Sequence, residues 1–567
     1  MKNLLKGFVI KYRYIFRKHT KNIFIITLLI VITASLGSLY PFMIGMIIDS
    51  ITENKVNETL MFLIANFLIS ATGAIFVRFE AMRSSYLALQ IVNEIKENLF
   101  NRVLRMKKKD LDKYASSDVI NRLENSIQGS VILITELIKN IVLVIVSSGI
   151  ALYFMFNISI SLTLGALVLF PITIVVTHMF RKAMHNVQQD FLRHQDRYLG
   201  FLYRTFEAID GIKSFRVENS IARNFNSLIN GFRKIYLSQV KIGANMTMSN
   251  EFVSALFNLV ILYIAAILIW GGDITIGNLI TFTLYLNMLA GSLATINTLH
   301  VMLQENSANL ERLIEMESFM IEESSNNTND IDIIESISAT DLHFSYNGGT
   351  EVLSGLTFSI NKPGWYSIIG ENGVGKSTLF KLLLKFYDAT DGQLMLNGLS
   401  IQKLTFNSIR KQVAYIAKTN FFINDTIENN LRMVNPLASE NDIIHALKMV
   451  GLYGFIDTLE DGIKTVVGDN GLTLSSGQIQ KLMLSRVFLV NASVILLDEV
   501  TSDIDSVSEY EIAKIIRAIA KEKIVISIAH RLSFVEPSDR VLLLLDGKVK
   551  FEGTYDELVE YEPRYSF

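Results

Sequence analysis

Apolar residues run in long blocks from about Asn22 to Leu299, and beyond about Met320 they give way to short apolar strands, glycine turns and polar helices. Crossing a hydrocarbon core of about 30 Å takes about 20 apolar helical residues. Six stretches reach that length, near residues 22–48, 60–81, 131–156, 158–180, 252–270 and 274–293. The third and fourth abut, which predicts a hairpin. Segments 86–106 and 188–206 keep a helical period, so the spans are expected to continue as helices well past the bilayer. Residues 1–21 do not read as a cleavable signal, because the apolar run behind them is too long and no small-residue cleavage site follows.

The placement of charge sets an expected topology. Lys and Arg number seven in residues 1–21, nine in 83–130 and eleven in 181–251, whereas the connection 49–59 holds only Lys55. The other short connections hold none. The positive-inside rule then places both termini and both long loops in the cytoplasm. The basic loops serve topology first, with anionic lipid or substrate as a further possibility. Their helical tips are expected to touch something in the cytosol.

Composition narrows the picture further. Half of the 567 residues are hydrophobic and 19% are charged, and mean hydropathy is +0.34, which excludes a disordered chain. A net charge of −2 leaves no cation excess for nucleic acid, and the absence of Cys removes disulfides, thiolate metal sites and Cys nucleophiles together.

The second half supplies chemistry. The strand-like residues 365–369 lead into Gly370, Glu371, Asn372, Gly373, Val374, Gly375, Lys376, Ser377 and Thr378, a G-x-x-x-x-G-K-[ST] loop between a strand and a helix. Its glycines let backbone N–H groups close around phosphate, Lys376 reaches the terminal phosphates and Ser377 is a ligand for Mg²⁺. Farther on, the apolar strand 494–497 ends in Asp498 and Glu499. Beside a phosphate loop, Asp498 suits the Mg²⁺ shell and Glu499 suits polarising the attacking water. Leu474, Ser475, Ser476, Gly477 and Gln478 open a helix and make either a second anion site or a plain N-cap.

Together these motifs resemble the ATP-binding cassette (ABC) transporters, specifically bacterial exporters that fuse six spans to one nucleotide-binding domain. The implied architecture is an α-helical polytopic membrane domain over residues 1–320, a linker over 321–334, and an α/β P-loop nucleotide-binding domain over 335–567. In that family two cassettes sandwich two ATP molecules, each phosphate loop facing the other subunit's signature helix. The resemblance implies ATP and Mg²⁺ as cofactors and places Tyr346 as the adenine-stacking aromatic. It makes Leu474 to Gln478 the signature acting in trans, with Ser476 in place of a Gly. Asp505 takes the D-loop acidic position, with Asp503 replacing a small residue, and His530 takes the γ-phosphate switch position. One departure is Lys418, where the family has Gln. A protonated Lys has no lone pair for Mg²⁺, so Lys418 is expected to contact phosphate or a carboxylate, with Glu499 and His530 sustaining hydrolysis. Two loop tips, residues 112–124 and 207–216, resemble the segments that dock on the cassettes.

The expected activity is ATP-driven export across a bacterial cytoplasmic membrane by alternating access of a dimer, with the cassette cytoplasmic. A homodimer is the simpler expectation because one chain carries every half-site motif; Ser476 and Lys418 leave a heterodimer open. A nucleotide-gated channel or regulator would use the same cassette without pumping, and an importer would usually place spans and cassette on separate chains. For the cargo, Glu136 and Lys139 are spaced to pair at i, i+3, as a structural ion pair or a substrate contact. Thr283, Asn287, Thr295 and Thr298 form a polar face that either lines a path or bonds between helices. Few fixed charges among many Phe, Met and hydroxyl residues suit an amphipathic cargo, with a peptide favoured and lipid or drug open.

Overall fold

The computed structural model describes residues 7–8, 10–114, 116–319, 321–322, 329–346, 348–417, 422–468, 471–501 and 504–566. Two compact units divide it: residues 1–100 with 117–317, and residues 101–116 with 318–567. The tip of the first long loop thus clusters with the cassette instead of the membrane domain expected for it.

The first unit is helical. Its main elements are α1 (Thr20–Thr52), α2 (Val56–Leu104), the short α3 (Lys108–Leu111) in the segment that belongs to the second unit, α4 (Ile127–Ile158), α5 (Ile160–Leu167), α6 (Leu169–Glu207), α7 (Ile209–Phe215), α8 (Glu218–Trp270) and α9 (Ile276–Ser318). Among the described residues, five helices are long and apolar enough to cross a bilayer. The fourth expected span falls on α5 and α6, which break at Val168. The hairpin is present: α4 stops at Ile158 and the Ser159 hydroxyl accepts from the Leu162 N–H to start α5. The expected extensions are also present, since α2 runs 49 residues to Leu104 and α6 runs 39 residues to Glu207, far more than a bilayer requires.

Small residues bring α1 against α9. A Cβ on Gly45 would lie 1.9 Å from Thr281 Oγ1, and one on Gly277 would lie 2.3 Å from the Gly45 carbonyl. Such close approach is how apolar helices associate where burial from water offers little. Pro41 sits inside α1, and α9 side chains take carbonyls around it: Tyr285 donates to Ser38 O at 2.8 Å and Thr281 to Pro41 O at 3.3 Å. Backbone carbonyls in a low-dielectric interior need such partners. Phe154 of α4 stacks on Tyr285 with ring centroids 5.3 Å apart.

Two expectations about polar residues in the spans are corrected. Lys139 does not pair with Glu136; its ammonium lies 3.1 Å from Glu80 Oε1 on α2, while Glu136 accepts from the Asn140 amide at 3.1 Å. The cross-helix partner wins because Glu80 is 4% exposed and a buried carboxylate demands a cation more than a wetter one does. The hydroxyls of Thr283, Thr295 and Thr298 bond back to the carbonyls of Leu279, Gly291 and Ala294 four residues earlier, so these bonds lie within α9 and not between helices. Asn287 is exposed.

Among the described residues the cassette has twelve strands: β1 (Ile337–Ser345), β2 (Glu351–Ile360), β3 (Gly364–Gly370), β4 (Asp391–Leu396), β5 (Leu399–Ser400), β6 (Val413–Ile416), β7 (Asp425–Thr426), β8 (Val466–Val467), β9 (Val494–Asp498), β10 (Ile524–Ile528), β11 (Arg540–Leu545) and β12 (Lys548–Gly553). They form an antiparallel sheet β2-β1-β4-β5, a main sheet β12-β11-β3-β10-β9-β6, and the pair β7-β8. The main sheet is parallel apart from β12. Its central strands are mainly apolar because both faces are covered, and the buried Ser367 and Ser527 of β3 and β10 bond each other at 3.0 Å. One core packs Leu497, Val525 and Leu543 on one side of it; the other packs Leu496, Ile526 and Leu544 with Phe380. Parallel strands aim their C-terminal ends at one edge, where ligands bind in such sheets.

The tip of the first loop is tied to this unit. Asp112, just beyond α3, accepts from the Tyr387 hydroxyl at 2.5 Å and pairs with Lys108 at 2.7 Å. Burial would raise the Asp112 carboxyl, but the Lys108 and Tyr387 donors outweigh it and hold it below its ordinary range. Arg410 grips Glu322 through two nitrogens, at 2.5 and 2.8 Å, a bidentate pair of the stronger kind.

Candidate functional site

The strand order places three chemical groups side by side. β10 lies between β3 and β9, with Ile528 opposite both Ile368 and Asp498. The phosphate loop after β3, the acidic pair after β9 and His530 after β10 therefore meet at one edge of the sheet.

The loop enters helix α10 (Lys376–Leu383) through Gly375, whose φ of +104° is left-handed. A Cβ there would also lie 2.6 Å from Leu353 Cδ2, so only glycine fits. Lys376 is buried and its ammonium donates to the carbonyls of Gly370 and Glu371 at 2.7 and 2.9 Å. Burial depresses its pKa against the opposing pull of Glu499 and Asp498. The ammonium thus spans the mouth of the loop from within, where terminal phosphates would take it over from the two carbonyls.

Asp498 is 8% exposed. Its Oδ1 accepts from the Ser377 hydroxyl at 3.2 Å and its Oδ2 from the Tyr415 hydroxyl at 3.0 Å. Burial pushes this carboxyl up, and the two hydroxyl donors oppose the push. Hard oxygens from a hydroxyl and a carboxylate beside a phosphate cradle fit Mg²⁺, which is usually held by one or two carboxylates together with substrate phosphates. No cluster of three His, Asp or Glu able to hold a metal occurs among the described residues. When bound, Mg²⁺ would neutralise charge developing on the phosphates.

Glu499 has φ +53°, a left-handed conformation uncommon for a side chain of this kind and concentrated at active sites. Its N–H bonds the Ile528 carbonyl at 3.1 Å, which turns the side chain toward β10. His530 Nε2 lies 3.1 Å from Glu499 Oε1. The next residue anchors this segment: Arg531 donates to Glu509 Oε2 at 2.7 Å and to Ile504 O at 2.8 Å, and Ser533 also bonds Glu509. Glu509 lies on helix α12 (Ser506–Ile519). Neither Glu509 nor Arg531 was singled out in the sequence, where they read as ordinary polar positions.

Tyr346, expected to stack on adenine, lies beside the phosphate-loop helix. Its hydroxyl lies 3.1 Å from Thr378 Oγ1, and the Lys381 ammonium lies 5.2 Å from its ring centroid. Its ring also stands edge-on to Tyr387 at 5.2 Å, the residue that holds Asp112. The signature segment opens helix α11 (Ser476–Leu489) through a capping box: the Gln478 N–H bonds Ser475 Oγ at 3.2 Å and the Ser475 N–H bonds Gln478 Oε1 at 2.9 Å. Both side chains accept from backbone N–H groups there, so the Ser475 O–H and the Gln478 amide N–H groups are still available to donate to an anion. First-turn N–H groups have no intrahelical acceptor, which adds those of Ser476 and Gly477 as donors suited to a phosphate. Leu474 packs partly buried against the core. Asp505 caps α12, accepting from the Ser508 N–H at 2.9 Å, and that bond depresses its pKa. Lys418 and Asp503 lie outside the described residues.

A P-loop ATPase fused to helices of bilayer length is the class this fold and site define. The sequence profile described as "ABC transporter transmembrane region" matches residues 23–293, and the profile described as "ABC transporter" matches residues 353–502. The chain belongs to the ABC transporters and is an exporter of that family, with an ATPase coupled to transmembrane movement. Relatives in Staphylococcus aureus strain COL and the bovine strain RF122 are 27% identical over 98% of this chain and 98% of their own length, and bear multidrug export ATP-binding/permease names. A solved bacterial Atm1-family ABC exporter with ATP bound shares the fold at a TM-score of 0.82 and 22% identity, covering 96% of this chain and 97% of that one.

Proposed function

We propose that two copies of this chain form an exporter of amphipathic molecules of variable shape, with both cassettes in the cytoplasm. The observation that carries it is the convergence of Lys376, Asp498, Glu499 and His530 at one sheet edge in a chain that also holds the spans. In the proposed cycle, ATP binding draws the cassettes together and hydrolysis releases them. Such a ligand moves the equilibrium only by binding one state better than the other.

The cargo class finds support in a cavity of about 380 Å³ in the first unit, lined among others by Phe42, Met46, Tyr153, Phe154, Asp49 and Asp273. It lies at the ends of α1 and α4 remote from the long basic loops. Aromatic faces with carboxylates favour an amphipathic cation, and the relatives' multidrug names agree with a drug-like compound at least as well as with a peptide. None of Glu136, Lys139, Thr283, Asn287 and Thr295 lines this cavity.

The test is ligand-stimulated ATPase of the full chain in lipid nanodiscs, with cationic amphiphiles, peptides and lipids as separate arms and particle mass measured on the same peak. Stimulation by cationic amphiphiles on a two-copy particle is expected. Stimulation by peptides alone would reassign the cargo, and an inactive single-copy particle revived by a second gene product would replace the homodimer with a heterodimer.

The Asp112–Tyr387–Tyr346 chain offers a route from loop tip to nucleotide. Tyr387→Phe removes the bond to Asp112 and keeps the ring against Tyr346. Substrate-stimulated turnover is expected to fall about tenfold more than basal turnover, since a hydrogen bond to a charged group contributes roughly 1.5–3 kcal/mol and about 1.4 kcal/mol is a factor of ten. Equal losses in both rates would remove Tyr387 from the coupling route.

A further inference from the structure

Tyr415 stands in β6, three residues before Lys418. β6 and β9 are parallel neighbours with Tyr415 opposite Leu496, and alternate residues of a strand share a face. Tyr415 and Asp498 therefore project to the same side of the sheet, where the Tyr415 ring meets Phe380 of α10 edge-on at 6.3 Å. That places its hydroxyl 3.0 Å from Asp498 Oδ2 while Ser377 holds Oδ1.

We propose that Tyr415 is a positioning residue for Mg²⁺: by holding Oδ2 it fixes the plane of the Asp498 carboxylate so that Oδ1 and the Ser377 oxygen face the ion together. This rests on the ATP·Mg²⁺ reading of the site and assigns to it a residue that does not itself touch the ion. A buried carboxylate held on one oxygen only can rotate about its Cβ–Cγ bond and turn Oδ1 away from the site. Held on both, it keeps a single orientation before the nucleotide arrives, so less ordering remains to be done on binding. The sequence sharpens the need, since Lys418 has no amide oxygen to add to those of Ser377 and Asp498.

The alternative is that Tyr415 merely packs, because its ring lies against the core around Phe380. Tyr415→Phe separates the two roles by deleting the hydroxyl and keeping the ring. Full-length parent and variant in nanodiscs are titrated with Mg²⁺ at fixed fluorescent MANT-ATP, with a matched titration in EDTA and a melting curve for each. The Mg²⁺ concentration giving half-maximal MANT-ATP retention is expected to rise about tenfold in the variant, as befits one lost charge-assisted hydrogen bond. Binding in EDTA should match the parent, and the maximal ATPase rate should fall less than the Mg²⁺ requirement rises. A half-saturating Mg²⁺ within twofold of the parent overturns the proposal. So does a melting temperature lowered by more than about 4 °C without a Mg²⁺ shift, which would make Tyr415 a packing residue. A parent that shows no Mg²⁺-dependent retention would instead overturn the reading of the nucleotide site beneath it.

Discussion

Glu499→Gln is expected to cut ATP turnover by about 10³-fold while MANT-ATP binding stays within a few-fold of the parent. The substitution keeps the shape and one hydrogen-bonding oxygen but removes the carboxylate proposed to take a proton from the attacking water, and general-base catalysis contributes about 10²–10⁴-fold. The geometry makes Glu499 hard to replace. It sits at φ +53° with its N–H fixed to Ile528 and its carboxylate 3.1 Å from His530, so backbone strain is held in place to aim this one side chain. The neighbouring Asp498 is committed to Ser377 and Tyr415. Phosphate release from reconstituted protein measures the rate. Residual turnover within tenfold of the parent would show that another group activates the water.

The cassette motifs were readable in sequence because each is a local pattern whose spacing is set by a strand ending in a turn. Gly370 to Thr378 and Asp498–Glu499 fall where β3 and β9 place them. The span lengths were readable for a related reason, as hydrophobic thickness translates directly into residue count. The partners of these residues were less legible. Tyr415 sits in an alternating apolar strand and reads as packing; only the register of β6 against β9 brings its hydroxyl to Asp498. Glu509 reads as the polar face of an amphipathic helix until Arg531 closes on it from the segment after β10. In the signature, the capping box accounts for the acceptor oxygens of Ser475 and Gln478, and their O–H and N–H groups join the first-turn backbone as donors for an anion. Spacing within one helix also misled: Glu136 and Lys139 satisfy i, i+3, yet the stronger demand came from another helix. The available signal was Glu80 itself, an acid inside the second apolar run, since an ionisable residue there calls for a named partner.

That partner carries the second large effect. Glu80→Gln is expected to lower the stability of the membrane unit by about 3 kcal/mol, the lower part of the range for stripping one member from a buried ion pair. The lower part applies because the Lys139 side chain keeps 30% of its exposure while Glu80 keeps 6%. Removing both charges with Glu80→Gln and Lys139→Met together should restore most of the loss, because the penalty lies in the cation left without a partner and not in the absence of the pair. Thermal unfolding in nanodiscs reads the stability, and substrate-stimulated ATPase on the same samples separates the two roles open to Lys139. Recovery of both stability and stimulation in the double variant makes the pair a structural clasp between α2 and α4. Recovered stability with stimulation still absent makes Lys139 a substrate contact. A single variant as stable as the parent to within about 0.5 kcal/mol would mean that the two charges do not depend on each other, which their 3.1 Å separation contradicts.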